Sequence, residues 1–443
     1  MNIKLSDYFS YKKLIRFTLP SIIMMVFTSI YGVVDGYFVS NVVGKTPFAA
    51  VNFIMPVLMI LGALGFMFGT GGSALIAKTM GEGDKEKANR FFTMVVYASI
   101  GVGIVFGAIS FMLMPRIAAA LGAEGNMLEY CILYGRIILV ALPFFMLQFE
   151  FQSFFVAAGK PNLGLYVTVV SGVMNMVLDV LFMVIFRWGI AGAAWATATS
   201  QIVGGILPLI YFSMPNSSNF RFTKFKFDIM AFLKVCANGS SELMSNISMS
   251  VVSMLYNIQL LKYAGENGIA AYGVLMYVNF TFLSMFIGYT VGTAPIISYH
   301  YGAENRDELE SLFKKSGVII SIFAVAMFVL AEILAYPLSY MFVGYDQVLM
   351  NMTLRGFLIF SFSFLFAGFA IFGSGFFTAL NDGLTSALIS FLRTLVFQVA
   401  AVLLLPLVWG LDGIWISIVA AEIMAVIITV AFLILKRKKF RYI

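Results

Sequence analysis

One histidine, two cysteines and a charged fraction of 11% are what this 443-residue chain has least of. A lone His300 leaves no imidazole cluster for a metal centre, and no nucleophile is paired with a base, so a membrane-embedded enzyme has no chemistry to point to. Cys131 and Cys236 sit in or near apolar stretches in different halves, which argues against a disulfide framework or a thiolate metal site. So little charge excludes an ordinary soluble domain. Apolar residues make up 61% of the chain, its mean hydropathy is +0.96, and it carries 46 Phe, 27 Met and 20 Tyr.

Apolar runs long enough to cross about 30 Å of hydrocarbon as helices recur throughout. Twelve are expected, at 14–40, 50–77, 91–114, 130–157, 164–186, 190–213, 231–260, 269–298, 315–336, 351–378, 385–407 and 412–435. Lys12, Lys13 and Arg16 lead straight into the first run with no small-residue cleavage site, so that span is expected to stay. Most of the 28 Lys and Arg gather in alternate loops, such as Lys78 to Arg90, Arg221 to Lys234, Arg306 to Lys315 and Lys436 to Arg441. The positive-inside rule then makes both termini cytoplasmic. A net charge of +7 is explained by this topology and an anionic inner leaflet, and no nucleic-acid partner is expected.

The chain also repeats itself. A shift of 221 residues lays Gly44, Ala49, Ala50, Met55, Gly71, Gly81 and Phe92 on Gly265, Ala270, Ala271, Met276, Gly292, Gly302 and Phe313, and "WGIAG" (Trp188–Gly192) on "WGLDG" (Trp409–Gly413). Six spans per copy is an even number, so the copies share an orientation and are related by a pseudo-twofold axis along the membrane normal. The expected architecture is all-α: an N-terminal lobe over 1–213, a cytoplasmic linker over 214–230 and a C-terminal lobe over 231–443. Two lobes that meet face to face enclose a central cleft, the usual home of a transporter's substrate.

Against that symmetry the buried acids stand out. Under the same shift Asp35 meets Tyr256, Asn175 meets Val396 and Asp179 meets Ala400, so the fold itself does not demand them. A charge at membrane depth is costly unless paired, hydrated or protonated. Asp35 near the outer end of the first span, Asp179 below the exit of the fifth and Thr197 on the sixth lie in one layer. Tyr31 with Asp35, and Asn175 with Asp179, are i,i+4 pairs on a shared helix face. This oxygen-rich nest could take up a proton or a hard cation such as Na+; the plainer alternative is a polar network that only knits helices together.

At these residues the chain resembles the multidrug and toxic compound extrusion (MATE) transporters, over essentially its whole length. The resemblance rests on the proline-bearing first helix "RFTLPSIIMMVFTSIYGVVDGYFVSN", the loop "GEGDKEKANRFF" with its partner "YGAENRDELESLF", and "NMVLD" in the fifth span. It implies a cation-coupling site of Asp35, Asn175, Asp179 and Thr197, with Tyr31 as a hydrogen-bonding neighbour and the coupling ion, H+ or Na+, in place of any cofactor. It also implies that Pro20 can act as a hinge. The second half, "GSSELMSNISMSVVSMLYN", looks most like the bacterial multidrug-exporter branch. Ala294 stands where many relatives have Gln before the proline, and the tenth span has no Asp, two departures that leave open whether the C-terminal lobe holds a second ion site.

Other intramembrane groups are weighed singly. Glu242, whose counterpart is Ser21, is expected to attract cationic substrate or bind a proton. Glu150, between Gln148 and Gln152, is a candidate to face the cleft, Glu332 lies near the outer end of its span, and Arg393 with Glu422 fits a structural ion pair. Aromatic faces and flexible thioethers suit a broad pocket for amphipathic cations. The expected function is cation-driven antiport, exporting such compounds by alternating access from a bacterial inner membrane, as a monomer. A flippase for lipid-linked oligosaccharide or cell-wall precursors is the alternative, but its anionic cargo calls for bases where this chain has acids. A passive channel would need repeated ring-forming polar residues.

Overall fold

Hydrophobic runs of this length, with few charges to interrupt them, satisfy their backbone polar groups only as helices, and the computed structural model is built from helices accordingly. It describes residues 3–43 and 45–442. The first half contains α1 (Tyr11–Phe38), α2 (Lys45–Gly81), α3 (Lys85–Ala120), α4 (Gly125–Val140), α5 (Leu142–Ala157), α6 (Pro161–Asp179) and α7 (Gly189–Ser213). The second contains α8 (Ile229–Gly302), α9 (Arg306–Val343), α10 (Gln347–Ser361), α11 (Phe364–Ala379), α12 (Gly383–Phe391), α13 (Phe397–Leu404) and α14 (Pro406–Phe440).

Among the described residues these helices make up twelve spans. α4 and α5 form one span bent by 59°, α10 and α11 another bent by 51°, and α8 breaks at Gly265, where φ is 62°, into two antiparallel arms. α12 and α13 continue each other through the π-helical turn Leu392–Val396. α1 runs unbroken through Pro20.

The repeat seen in the sequence is a repeat of conformation. The α4–α5 bend at Ala141 and the α10–α11 bend at Phe362 occupy equivalent positions. The shared "WG" motif has a backbone reason: Gly189 has φ 59° and Gly410 φ 56°, a left-handed turn that a side chain would strain. The segment between the halves is not a loose tether. It turns at 217–219, runs without helix over 220–228 and lies along α3, where the Arg221 amide donates to Asn89 Oδ1 (2.8 Å) and Phe222 stacks on Phe92 (5.1 Å between centroids). In the second half the C-terminal tail fills the corresponding place, with Tyr442 against Phe313 at 5.2 Å.

The described ends of the chain, at residues 3 and 442, lie at one face of the helical body, termed the terminal face; the opposite one is the distal face. The Phe9 amide donates to Glu308 (2.8 Å), and Phe440 packs on Tyr301. Toward this face the two halves touch backbone to backbone. A Cβ at Gly81 would stand 2.0 Å from the Tyr299 carbonyl oxygen, and one at Gly302 would stand 2.0 Å from that of Lys78. Gly71 and Gly239, about 15 Å deeper by helix rise, meet the other half's backbone in the same way.

Candidate functional site

The nest expected from the sequence assembles inside the first lobe. α6 packs on α1 where Gly172 faces Phe27 and Tyr31, leaving 3.2 Å between a would-be Cβ and Tyr31 Cδ1. That contact brings Asp35, one helical turn beyond Tyr31, beside Asp179, with the two carboxyl groups in electrostatic reach of each other. Asp179 is wholly buried and Asn175, one turn earlier, is 2% exposed. α6 changes at Asp179 into the π-helical turn Val180–Ile185, a local rewinding frequent at functional sites. Thr197 comes from α7.

A fourth helix completes the site. Tyr134 of α4, 1% exposed, lies beside the Thr197 hydroxyl and within electrostatic reach of both Asp35 and Asp179. Sequence reasoning missed it, because α4 contributes to no i,i+4 pair with the acids and Tyr134 is one of 20 tyrosines. The one available signal was its position seven residues before the bend at Ala141.

Buried polar atoms without partners cluster here: Asp35 Oδ1, both carboxylate oxygens of Asp179, Asn175 Nδ2 and Thr197 Oγ1. Buried polar groups are normally satisfied, and two adjacent carboxylates in a low-dielectric interior require a proton or a cation between them. The donor set of carboxylate, amide and hydroxyl oxygens fits either one.

The second lobe solves the same position differently. Tyr256, the counterpart of Asp35, stacks on Tyr272 at 5.1 Å, donates to Gln398 Oε1 (2.8 Å) and lies 3.4 Å from Ser417 Oγ. Nearby, Arg393 holds Glu422 through two parallel bonds of 2.8 Å, with 15% and 6% of the side chains exposed. The expected ion pair is therefore present, and these two charges compensate each other.

Glu242 is on the first arm of α8, half-buried, and no ion-pair partner faces its carboxylate among the described residues. It is separate from the nest. Glu332 does not simply reach water: its carboxylate accepts from the Ser361 hydroxyl. Glu150 corrects an expectation. It does not face the cleft but is fully enclosed within the first lobe, because α2 lays Gly69 against its backbone and α3 covers it with Ser99.

Two pseudo-symmetric six-helix lobes, broken spans and an asymmetric buried polar site are the architecture of a secondary transporter. The chain belongs to the MatE family, whose profile matches it twice, over residues 20–181 and 243–404. It is 28% identical over 378 residues to the multidrug export protein MepA of Staphylococcus haemolyticus strain JCSC1435, covering 81% of this chain and 80% of that protein. It is 26% identical over 420 residues to MepA of Staphylococcus aureus strain MRSA252, covering 93% and 91%. The fold is similar to a solved MATE in complex with MaL6 (TM-score 0.94, 23% identity, 99% and 98% coverage). It is also similar to an outward-facing multidrug resistance MATE family transporter of the MOP superfamily (TM-score 0.93, 24% identity, 99% and 98% coverage).

Proposed function

We propose that this protein exports organic compounds across a bacterial cell membrane by cation-coupled antiport, with Asp35, Asn175, Asp179, Thr197, Tyr31 and Tyr134 as the coupling site. The observation that carries the reading is the pairing of Asp35 with Asp179 in one lobe only, the other lobe having a tyrosine in a closed neutral network at the matching position. A site that the architecture does not need, and that lacks its own compensation, calls for an exchangeable cation. The multidrug export relatives support an organic cargo, and the surplus of acids over bases in the membrane favours amphipathic cations over anionic lipid precursors.

The Lys and Arg of the loops at the terminal face make it the cytoplasmic one. The proposed lobes are 1–213 and 231–443, joined by 214–230. With the lobes in backbone contact at the terminal face, the ion enters from the distal side. Its binding favours one conformation and that of substrate the other, which is the thermodynamic requirement for coupling. Pro20, which lacks an N–H for the α1 ladder, is the proposed joint.

The test is efflux from proteoliposomes under separate pH and Na+ gradients. Asp35→Asn should retain substrate binding and lose efflux under whichever gradient drives the native protein. Gradient-driven efflux at the native rate in this variant would remove Asp35 from the coupling site and overturn the reading.

A further inference from the structure

We propose that Glu150 and Ser99 form a second proton site in the N-terminal lobe, a relay between the Asp35–Asp179 pair and the face that carries the termini. The inference rests on the coupling role proposed for that pair.

Glu150 is 0% exposed and both of its carboxylate oxygens lack a hydrogen-bond partner; Ser99, also 0% exposed and with an unpartnered Oγ, is the polar group beside it. α5 packs against α2, α3, α4, α6, α7 and α8. Among their acidic and basic residues, Lys78, Lys85, Glu86, Lys87, Arg90, Lys234 and His300 stand near the terminal face, and Arg116, Glu129, Arg136, Lys262 and Glu266 toward the distal face. Asp179 and Glu242 lie between, and none of these groups is electrostatically coupled to Glu150 among the described residues. A carboxylate in that position has neither counter-ion nor water-facing surface, whereas a carboxyl group that gains and loses a proton is tolerated while neutral.

The repeat shows that packing does not require the pair. At the positions 221 residues on, the second lobe has Ile371 for Glu150 and Ile320 for Ser99, Ile320 buried in its apolar core and Ile371 half-buried against that core. Two hydrocarbon side chains fill in one lobe the place that an acid and a hydroxyl fill in the other.

Polar groups join this pair to the ion site. By helix rise, Asp179 lies about 27 Å above the terminal end of α6, Asn175 about 21 Å and Ser171 about 15 Å. Thr197 and Gln201 are about 24 and 18 Å above the end of α7, and Gln148 and Glu150 about 14 and 10 Å above the end of α5. Their heights therefore descend in increments of about 1–4 Å. Gln148 and Ser171 meet at Gly204, whose Cβ would lie 2.9 Å from Gln148 Cδ and 2.8 Å from Ser171 Oγ. Asn175 Nδ2, Gln201 Oε1 and Gln152 Oε1 are buried and unpartnered along the way, the kind of lining that holds water in file.

The balance of the step is simple. A proton leaving the Asp35–Asp179 pair forms an O–H bond on a Glu150 oxygen, and that bond breaks when the proton passes to water at the terminal face. The Ser99 hydroxyl serves both states, donating to the carboxylate and accepting from the carboxylic acid.

The experiment is infrared difference spectroscopy of the purified protein between acid and alkaline pH, together with pH-driven efflux from proteoliposomes. A protonated-carboxyl C=O band should vanish in Glu150→Gln and persist in Asp35→Asn. Efflux driven by a pH gradient should fall at least about tenfold in Glu150→Gln, with substrate affinity held within about twofold and partial recovery in Glu150→Asp. Ser99→Ile/Glu150→Ile, which installs the second lobe's own pair, should fold and lose proton-driven efflux. A spectrum with no band lost in Glu150→Gln, or native proton-driven efflux in either the Gln or the double-Ile variant, would overturn the relay. Failure of the Asp35 site is read separately, as native coupling in Asp35→Asn.

Discussion

Gly81 and Gly302 cross at the terminal face, each packed on the carbonyl oxygen of the residue three before the other, Tyr299 and Lys78 respectively. The exchange is reciprocal because all four residues are related by the 221-residue repeat, so one contact written twice holds the lobes together. Backbone carbonyls cannot move aside as side-chain tips can. Gly81→Val should therefore cost the closed arrangement about 1–3 kcal/mol by overpacking, and Gly302→Val the same. Spin labels on the exposed Glu82 and Glu304, measured by pulsed EPR, should show a longer-distance population in each variant. An unchanged distance distribution would mean that the crossing is not a constraint on the lobes.

Asp35 and Asp179 should fail as a unit. Asp35→Asn and Asp179→Asn should each abolish ion-driven efflux, and the double variant should lose little more than either single one, since residues of one site are not additive. Conservative replacements at Tyr256 or Ala400 should leave the ion dependence unchanged. Strictly additive losses would show two independent sites.

Removing the Tyr134 hydroxyl tests the residue that the fold adds to this site. Tyr134→Phe keeps the ring in its buried place and takes away one hydrogen-bonding group, worth about 1 kcal/mol. The expected result is a shift of about fivefold in the ion concentration for half-maximal efflux. Native ion dependence in this variant would make Tyr134 a packing residue.

The Arg393–Glu422 pair should behave as a desolvated ion pair. Either single replacement, Arg393→Met or Glu422→Gln, strands a buried charge or its polar partner and should destabilise the protein by about 3–5 kcal/mol, whereas the double replacement Arg393→Met/Glu422→Leu should come close to neutral. Thermal unfolding in detergent reads both. Equal losses in the single and double variants would show that the pair stabilises the fold outright.

Glu242, which faces no ion-pair partner among the described residues, should discriminate by substrate charge. Glu242→Gln should weaken binding of monovalent cationic substrates more than that of neutral ones, as measured by equilibrium binding to the purified protein. An equal effect on both classes would assign it to packing.

Much of this molecule was legible in the chain. Hydropathy dictated helices and their number, because a backbone in hydrocarbon has no other way to satisfy its polar groups. The 221-residue repeat dictated two lobes, and its exceptions at Asp35, Asn175 and Asp179 marked the site, since symmetry separates what the fold needs from what it does not. Tertiary structure decided what depends on which helix faces meet. It brought Tyr134 to the acids from a helix with no sequence link to them, enclosed Glu150 under Ser99 where a single helix could only offer an acid on an apolar face, and compensated Arg393 with Glu422. It also turned Gly81 and Gly302 from two glycines among 39 into a crossing. Periodicity along one helix fixes that helix's own faces, but the partner opposite each face is set by packing across the whole bundle, and a one-dimensional pattern does not contain it.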